Sequence, residues 1–575
     1  MFIEKKYNRE IHDKLVSNGM MSFLAKVIAA RVSDDSTLDN VLNPTDEYYK
    51  RLYELKDMDV AVPLLLSHLG ESLILSITDS DADGVSCAAI VDRSIVDYFN
   101  HPKDKLITIV NKRVYGNGVN DEMVRRTLEI HKETPIGLVI TADHGSSDDV
   151  RIKKLREAGI DVIVTDHHSI PTTGKLQHAN AFINPIRDDD NFTEINISGA
   201  QVVYFLMYCV YEKLDERSLI SKRDNMRSIL PIVSNTILSD SMSLLSPINR
   251  HMLSEGMKEL NISEEPQWTL LRNRMSLNLF DENVISFTIT PHINAANRLG
   301  SPELAYEFLS ARDINKADLA LSKLVELNNE RKRLESEMIA FVGTVARLYP
   351  FKNTKVLIIP RGPGVSGLVS QTIGERYNQP TITFTLTNKD TLVGSGRTIL
   401  THLNLKEIFD EIKENYPGIM IKGGGHSGAA GCEIHNEKLY EFMEAFDTIV
   451  ARQNKGVEIR SGSDTTYDFE IPIEYISEKL VDDINNLGPF GREFERPVLK
   501  TEGLVTKVFK IGRPPLHCAL DLMTKDRRTL IKCFYPRSGH LKLKDNVLST
   551  IVGSINMKYY KGKKSLDLSI TAIEQ

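Results

Sequence analysis

The stretch that most constrains this chain is Asp79-Ser80-Asp81-Ala82-Asp83-Gly84, in which three carboxylates occupy alternate positions. It follows an apolar run at residues 73–77 and precedes a helix-like pattern that includes Ala88 and Ile95. Three carboxylates this close repel one another, and the repulsion raises their pKa values unless a cation neutralises them. The stretch therefore predicts a divalent-metal site where a strand gives way to a helix.

Apolar runs separated by amphipathic segments indicate a doubly wound α/β sheet. The runs cover residues 73–77, 106–110, 137–142 and 161–165. Near-continuous apolar runs of this length are typical of parallel strands that are covered on both faces. The amphipathic segments 121–133 and 148–158 predict the crossover helices.

Acidic residues and histidines follow the ends of these runs. They form the groups Asp143-His144-Gly145, Asp166-His167-His168 and, after a later apolar run at 232–238 that we interpret in the same way, Ser239-Asp240-Ser241. Ligands bind beyond the carboxyl ends of strands in open α/β sheets, so these side chains should meet at one edge. A single aspartate at such a position is often a turn former or a helix cap, but the repetition favours one shared site.

The ligand types indicate which metal is bound. Carboxylates with one or two imidazoles suit Mn²⁺ or Mg²⁺, and this many carboxylates favours two ions over one. Paired ions of this kind occur in phosphatases and nucleases. The residues therefore predict metal-assisted phosphoester hydrolysis, with a structural metal site as the competing interpretation.

The chain resembles the DHH phosphoesterase superfamily, and within it the RecJ family of single-strand-specific 5′→3′ exodeoxyribonucleases. The resemblance lies in four ordered motifs: TDSDADG (78–84), TADHG (141–145), TDHH (165–168) and SDSMSLLSPINR (239–250). It covers residues 70–575 and implies that two Mn²⁺ or Mg²⁺ ions are held by Asp79, Asp81, Asp143, His167 and Asp240, with Asp143 as the bridging ligand. It also implies catalytic roles for three further residues. His168 would contact the scissile phosphate, and Asp83 and Asp166 would be metal ligands or orienting groups.

Further segments are similar to substrate-binding motifs of the same family. They are NKRVYGNG (111–118), SGA (198–200), PHINAANRLG (291–300), GSGR (394–397) and GGGHSGAAG (423–431). Glycine lets backbone N–H groups approach a phosphate closely, although glycine runs are more often simple turns. The resemblance assigns substrate binding to Arg113, Arg298, Ser395, Arg397, Gly424, Gly425 and His426.

Three positions depart from the family pattern. His144 stands where asparagine is usual, His292 where arginine is usual, and Gly362-Pro363 where a Trp-His pair is usual. We expect effects on metal preference from His144 and on phosphate binding from His292, with no loss of a core ligand.

The C-terminal part of the chain is basic although the chain as a whole is acidic. Residues 500–564 carry 15 Lys/Arg against 4 Asp/Glu, an excess of +11, so the remainder carries −18 of a formal net charge of −7. Short alternating runs after residue 455 predict a small β-barrel. Its basic residues are Lys510, Arg513, Lys532, Arg537, Lys558 and Lys561, and its aromatic residues are Phe509, Phe534, Tyr535, Tyr559 and Tyr560. Such a surface suits an OB-fold that binds single strands, with a solvated basic face as the alternative.

We therefore expect an α/β protein with two α/β lobes, joined by a long helical connector and followed by a C-terminal β-barrel. The expected segments are a mostly helical segment with breaks at Pro44 and Pro63 (1–70), a DHH domain with a parallel sheet (71–300), a helical connector (301–350), a DHH-associated substrate-binding domain (351–454) and an OB-fold-like domain (455–575).

The predicted function is a metal-dependent exonuclease that releases 5′-mononucleotides from single-stranded DNA in DNA repair or recombination. The resemblance implies a monomer whose protein partners are a single-strand-binding protein or a helicase. The five cysteines lack metal-ligand spacing and no long apolar run occurs, so we expect a cytoplasmic protein without a membrane segment. The alternatives are an oligoribonuclease or cyclic-dinucleotide phosphodiesterase, which the C-terminal module disfavours, and a non-catalytic replication scaffold, which the intact motifs disfavour.

Overall fold

A computed structural model describes most of the chain. The described residues are 1–171, 176–216, 226–386, 390–400, 402–455, 465–512, 516–524, 529–539, 541–560 and 563–575, so the predicted basic residues Arg513 and Lys561 lie outside them. The chain divides into two compact units, the first comprising Met1–Thr290, Tyr306–Asp318 and Ser463–Gln575, and the second Pro291–Ala305 and Leu319–Gly462. No helix among the described residues is long and apolar enough to cross a membrane.

The first unit begins with a mostly helical segment, as predicted. Its elements are β1 (Phe2–Glu4), α1 (Arg9–Ser17), α2 (Ser22–Ala29), α3 (Asp35–Leu42) and α4 (Met58–His68). The predicted break at Pro63 is wrong, because α4 continues through this residue. Ala61, Val62 and Leu65 are buried in the core, and this packing maintains the helix although proline removes one backbone donor.

A parallel sheet follows. Its strands are β2 (Leu73–Thr78), β3 (Leu106–Val110), β4 (Ile136–Ala142), β5 (Asp161–Thr165) and β6 (Ala181–Ile183). Among the described residues their order is β3-β2-β4-β5-β6, and every pair is parallel. The strand order reverses between β2 and β4, which is where open α/β sheets bind ligands. The four predicted strands are confirmed.

The helices around this sheet are α5 (Ala82–Arg93), α6 (Asp121–Glu133), α7 (Asp149–Glu157), α8 (Gly199–Glu216), α9 (Leu230–Ser239), α10 (Pro247–Ile262), α11 (Pro266–Arg274) and α12 (Glu282–Val284). The two predicted crossover helices are confirmed as α6 and α7. The prediction of a strand at 232–238 is wrong, because this run lies in α9. Every residue from Leu230 to Ile237 is buried, and periodicity cannot distinguish a helix that is buried all round from a buried strand. Asp240 therefore follows the end of a helix.

The second unit holds a mixed sheet. Three of its described helices precede this sheet in the chain, and parts of these three belong to the first unit. The helices are α13 (Thr290–Arg298), α14 (Glu303–Leu309), α15 (Ile314–Leu348), α16 (Ser366–Tyr377), α17 (Leu405–Asn415) and α18 (Leu439–Gln453). The strands are β7 (Lys355–Ile359), β8 (Thr381–Leu386), β9 (Thr391–Arg397), β10 (Met420–Gly425) and β11 (Ala429–His435). Their order among the described residues is β10-β11-β9-β8-β7, with β7 and β8 parallel and the other pairs antiparallel.

The C-terminal part of the first unit is a barrel. Its elements are β12 (Thr465–Tyr467), β13 (Phe469–Glu470), α19 (Glu478–Asn485), β14 (Leu499–Ile511), β15 (His517–Met523), β16 (Leu530–Tyr535), β17 (Val547–Tyr560) and β18 (Lys563–Glu574). The strands are ordered β14-β15-β16-β18-β17, and β17 also pairs with β14, which closes the barrel. The predicted barrel is confirmed.

Candidate metal centre and substrate-binding residues

The carboxyl ends of three strands bring the predicted acidic residues to one edge of the parallel sheet. Asp79 follows β2, Asp143 follows β4 and Asp166 follows β5. The N–H of Asp79 donates to the carbonyl of Ala142 (3.4 Å), and the N–H of Asp143 donates to the carbonyl of Thr165 (3.0 Å). These bonds continue the strand pairing beyond the sheet. Asp143 adopts a φ of 63°, a left-handed conformation that is uncommon outside glycine and occurs at functional sites.

Two helix starts position the remaining aspartates of the first motif. Asp81 caps α5, because its Oδ1 accepts from the N–H groups of Asp83 (3.0 Å) and Gly84 (3.2 Å). Asp83 accepts from the N–H groups of Gly199 (2.7 Å) and Ala200 (3.0 Å), which begin α8. The small residues at the start of α8 thus have a role in the first unit, because their N–H groups hydrogen-bond the buried carboxylate of Asp83.

The imidazole of His167 faces a group of carboxylates. Its Nδ1 lies 3.0 Å from the carbonyl oxygen of Ile197. A carbonyl oxygen only accepts, so Nδ1 carries the proton and Nε2 carries a lone pair. Nε2 is 3.2 Å from Oδ1 of Asp143 and 3.7 Å from Oδ2 of both Asp83 and Asp240. Burial lowers the pKa of His167, which keeps this ring neutral, and a lone pair that faces three carboxylates favours a cation between them.

The carboxylates carry a large electrostatic cost without such a cation. Burial raises the pKa of Asp143, Asp240 and Asp81, and repulsion between neighbouring aspartates raises it further. The pKa of Asp143 lies well above its usual value, and that of Asp240 is raised to about 8. Burial raises the pKa of Asp83 to about 6, and it also raises the pKa of Asp79. Oδ1 of Asp143 is buried and lacks a hydrogen-bond partner within the described residues.

The donor groups fit two divalent cations. Potential ligand atoms lie within 4.8 Å of one another in the sets Asp79–Asp81–Asp143, Asp83–His167–Asp240 and Asp143–His167–His168. Asp143 and His167 each belong to two sets, so the sets adjoin. Carboxylate oxygens with one or two imidazole nitrogens suit Mn²⁺ and Mg²⁺.

Asp166 organises the DHH motif through hydrogen bonds. It accepts from the N–H groups of Ser146 (2.9 Å), His167 (2.8 Å) and His168 (3.1 Å) and from Nδ1 of His168 (2.9 Å). Burial alone would raise the pKa of Asp166, but the bonds from His168 and Ser146 lower it. Burial opposes the charge on His168, yet Asp166 raises the pKa of His168 to about 9. The pair is therefore a carboxylate that orients a half-exposed imidazolium.

Arg113 lies in a short 3₁₀ turn after β3 and is exposed. The N–H of Asn111 donates to the carbonyl of Thr78 (2.9 Å), which attaches the loop to the end of β2. The Asn111 side chain donates to the carbonyl of Gly116 (2.8 Å) and accepts from the amide of Asn120 (2.9 Å). These bonds shape the loop that carries Arg113.

His144 is buried against the sheet. Its Nε2 donates to the carbonyl of Ile77 (3.1 Å), and its Nδ1 has no hydrogen-bond partner among the described residues. It belongs to none of the three ligand sets found there.

Two residues that position the site were not predicted. Ile197 fixes His167 through its backbone carbonyl, a group that every residue has, so no sequence signal marks it. Burial raises the pKa of the Asp79 carboxyl, and the side chain of Asn111 opposes this effect. The sequence indicates Asn111 only as part of a basic loop, although its place directly after a strand makes it a candidate.

In the second unit, two predicted arginines meet the start of α16. Nη1 of Arg298 donates to the carbonyl of Gly364 (3.0 Å), and a Cβ on Gly364 would lie 2.0 Å from the carbonyl oxygen of Arg298. A Cβ on Gly367 would lie 2.9 Å from Nη2 of Arg397. Two guanidinium groups thus approach a helix N-terminus, where positive charge and backbone donors favour anions.

The remaining predicted residues lie on β9 and the β10–β11 hairpin. Ser395 pairs with Gly431, and Gly424 also pairs with Gly431, so these residues occupy neighbouring strands. Gly425 has a φ of 140°, and a Cβ there would lie 2.5 Å from the carbonyl oxygen of Ala429. His426 is exposed at the hairpin turn. The predicted substrate-binding residues from Arg298 to His426 thus lie in the second unit, whereas Arg113 lies in the first unit with the carboxylates.

Known proteins share this domain series. The DHH family, N-terminal domain, matches residues 73–228, the DHHA1 domain matches residues 357–452, and the RecJ OB domain matches residues 467–572. The single-stranded-DNA-specific exonuclease RecJ of Haemophilus influenzae is 26% identical over 569 residues, which cover 94% of this chain and 93% of that protein. The RecJ exonuclease of Escherichia coli is 26% identical over 471 residues, covering 77% and 78%.

A solved structure shows the same fold. The crystal structure of RecJ in complex with Mn²⁺ from Thermus thermophilus matches with a TM-score of 0.76 and 20% identity, and the match covers all of this chain and 79% of that one. The matched domains, their order and the aligned relatives lead to one conclusion: the chain consists in large part of a DHH domain, a DHHA1 domain and a RecJ OB domain in that order, and it is RecJ-like over most of its length.

Proposed function

We propose that this protein is a 5′→3′ exonuclease that acts on single-stranded DNA and releases 5′-mononucleotides by metal-dependent hydrolysis, in DNA repair or recombination. One observation carries the proposal: the unprotonated Nε2 of His167 lies 3.2–3.7 Å from three carboxylates. Without a cation these carboxylates repel one another or must bind protons, so the donor set favours divalent metal. Relatives that share the domain series bear the name single-stranded-DNA-specific exonuclease, which supports the substrate.

The proposed ligands are those of the two adjoining sets. Asp79, Asp81 and Asp143 would hold one ion, and Asp83, His167 and Asp240 would hold the other, with Asp143 shared. This proposal moves Asp83 from a catalytic role to the ligands. When bound, the ions supply Lewis-acid stabilisation of the phosphoryl oxygens and lower the pKa of water.

The protein's own groups orient the substrate at this centre. Nδ1 of His168 is engaged by Asp166, so Nε2 is the nitrogen that would donate to a non-bridging oxygen of the scissile phosphate. A charge-assisted bond of this kind is roughly twice as strong as a neutral one. Asp166 would hold the ring in place, and Arg113 would contact a neighbouring phosphate.

The second unit would bind the 5′ end of the strand. Arg298, Ser395, Arg397 and His426 are its proposed phosphate contacts, with Gly424 and Gly425 allowing close approach of the backbone. On the barrel, Lys507 and Phe509 are exposed on β14, as expected of a surface that tracks a strand by charge and stacking. Lys510 instead donates to the carbonyls of Gly539 (2.9 Å) and Leu541 (2.5 Å), so we assign it a structural role. The domain boundaries stated above, the monomeric state and a helicase or single-strand-binding protein as partner belong to the same proposal.

The test is end-labelled hydrolysis. Full-length protein is incubated with 5′-labelled and 3′-labelled single strands, duplex DNA and RNA, in Mn²⁺ and in EDTA. We expect labelled mononucleotide to appear first from the 5′ label, only in Mn²⁺ and only from single-stranded DNA. Release from the 3′ label first would overturn the polarity. Hydrolysis confined to very short oligomers would favour an oligonucleotide phosphodiesterase, and no hydrolysis would favour a scaffold.

A further inference from the structure

A turn in the C-terminal part of the first unit is fixed to the segment that follows Asp240. The N–H of Leu244 donates to the carbonyl of Arg492 (3.0 Å), and the hydroxyl of Ser243 donates to the carboxylate of Glu493. A Cβ on Gly491 would lie 2.8 Å from Cδ1 of Leu244, so the glycine leaves the space that the Leu244 side chain occupies against this turn.

A buried arginine holds the same turn from the other side. Arg250 is buried, with 3% of the residue exposed. Its guanidinium donates to the carbonyls of Leu487, Gly488 and Pro489. The turn at 488–494 is therefore held by contacts that do not involve the side chain of Arg492.

That side chain lies beside the carboxylate centre. Nη1 of Arg492 donates to the carbonyl of Ser241 (3.2 Å), the residue after Asp240. Its charge lowers the pKa of Asp240 against the larger effect of burial. The side chain is 54% exposed, and its ion pair with Glu493 is long, at 3.9 Å. Since guanidinium has five N–H donors, most of them remain for a ligand.

The turn does not need the charge of Arg492 to hold its position. One neutral donor would satisfy the carbonyl of Ser241, and the turn is fixed by other groups. A cation beside Asp240 also opposes the binding of a metal by that carboxylate. A permanent and half-exposed positive charge at the edge of the centre is therefore well placed to bind an anion that arrives there.

We propose that Arg492 is a substrate-binding residue that contacts a backbone phosphate of the DNA strand next to the metal centre. This inference rests on the proposed function and adds a contact from the segment that precedes the barrel. Arginine suits the role because its planar fork can bind two oxygens of one phosphate.

The test compares two substitutions in the full-length protein. In Arg492→Gln the side-chain amide can still donate to the carbonyl of Ser241, but the charge is lost. In Arg492→Lys the charge is kept. A control, Arg333→Gln, removes an arginine of similar exposure, 52%, which is paired with Glu330 and Glu337 on α15.

Binding is measured by fluorescence anisotropy at several salt concentrations, in Mn²⁺, with a labelled phosphorothioate single strand that resists hydrolysis. For Arg492→Gln we expect Kd to rise about tenfold, as for loss of a charged hydrogen bond. The slope of log K against log salt should fall by about 0.7, the value for one phosphate on a single strand. Arg492→Lys and Arg333→Gln should keep the wild-type slope, and all three melting temperatures should match the wild type.

Two results would overturn the inference. In the first, Arg492→Gln binds with the wild-type Kd and slope, although the wild type binds the strand. In the second, the Gln and Lys variants lose affinity equally and melt early, which would assign Arg492 a structural role only. A wild type that does not bind the strand would instead contradict the proposed function, and this inference with it.

Discussion

The metal centre of the first unit and the glycine-rich surface of the second, which we propose both act on phosphate, arrange their charged groups in opposite ways. The centre places carboxylates and a neutral imidazole in a buried space, where each group changes the pKa of the others. The surface places Arg397 half-buried on β9, beside the start of α16, and His426 exposed at the hairpin turn. Buried coupled groups respond to change together, whereas separate exposed groups contribute almost independently. Perturbing the centre should therefore have the larger effects.

The largest effect is expected from Asp143→Asn. This change removes the charge of the carboxylate that belongs to two ligand sets, and we expect hydrolysis to fall by at least about 10³-fold, since several kcal/mol of charge stabilisation is lost. It also removes a buried charge that has no partner, so the metal-free protein should melt at a higher temperature than the wild type. Single-turnover hydrolysis and differential scanning fluorimetry measure the two effects. Full hydrolysis in this variant would contradict the assignment of the site.

Divalent metal should stabilise the wild type by about 2.7 kcal/mol at 100 times Kd. The folded-state pKa values of Asp83 and Asp240, about 6 and about 8, exceed the ordinary 3.8. The metal-free folded state therefore binds more protons than the unfolded chain, and its stability falls as the pH rises from about 4 to about 8. Metal offsets this loss, so the increase in melting temperature on adding Mn²⁺ should be larger at about pH 8 than at about pH 6.

Asp143→Asn serves as the control for metal stabilisation. The Mn²⁺-dependent increase should be much smaller in this variant at both pH values. An equal increase in the variant and the wild type would show that the ions bind elsewhere.

Gly199→Ala tests how closely the centre is packed. The added Cβ would lie 2.6 Å from Oδ1 of Asp143, so the carboxylate must move. A displacement of about 1 Å at a reacting centre can lower a rate by about 10²-fold. We expect a loss of that order in kcat with little change in KM. Unchanged kcat would show that Asp143 can move without cost.

The residue pattern alone predicts the centre, whereas the prediction of the glycine-rich surface depends on the family resemblance, and the difference has a physical reason. Crowded carboxylates after apolar runs have few explanations, and strand ends must meet at one edge, so Asp79, Asp143 and Asp166 could be placed from pattern alone. Asp240 was placed at the right site for the wrong reason, since α9 is buried all round and gives a strand-like run. The position of Arg492 could not be predicted, because only tertiary contacts bring residue 492 next to residue 241.

The smallest effect is expected from the surface of the second unit. Arg397→Gln removes one charged phosphate contact, and we expect KM for single-stranded DNA to rise about tenfold with kcat nearly unchanged. Arg452→Gln is the matched control in the same unit, because Arg452 is an exposed arginine on α18 that is paired with Glu411 on α17, and it should change neither KM nor kcat. If Arg397→Gln instead reduced kcat as strongly as Gly199→Ala, the two regions would be coupled in the reaction, and the contrast between a coupled centre and an independent surface would be wrong. Steady-state kinetics of both variants on one labelled strand decide between these outcomes.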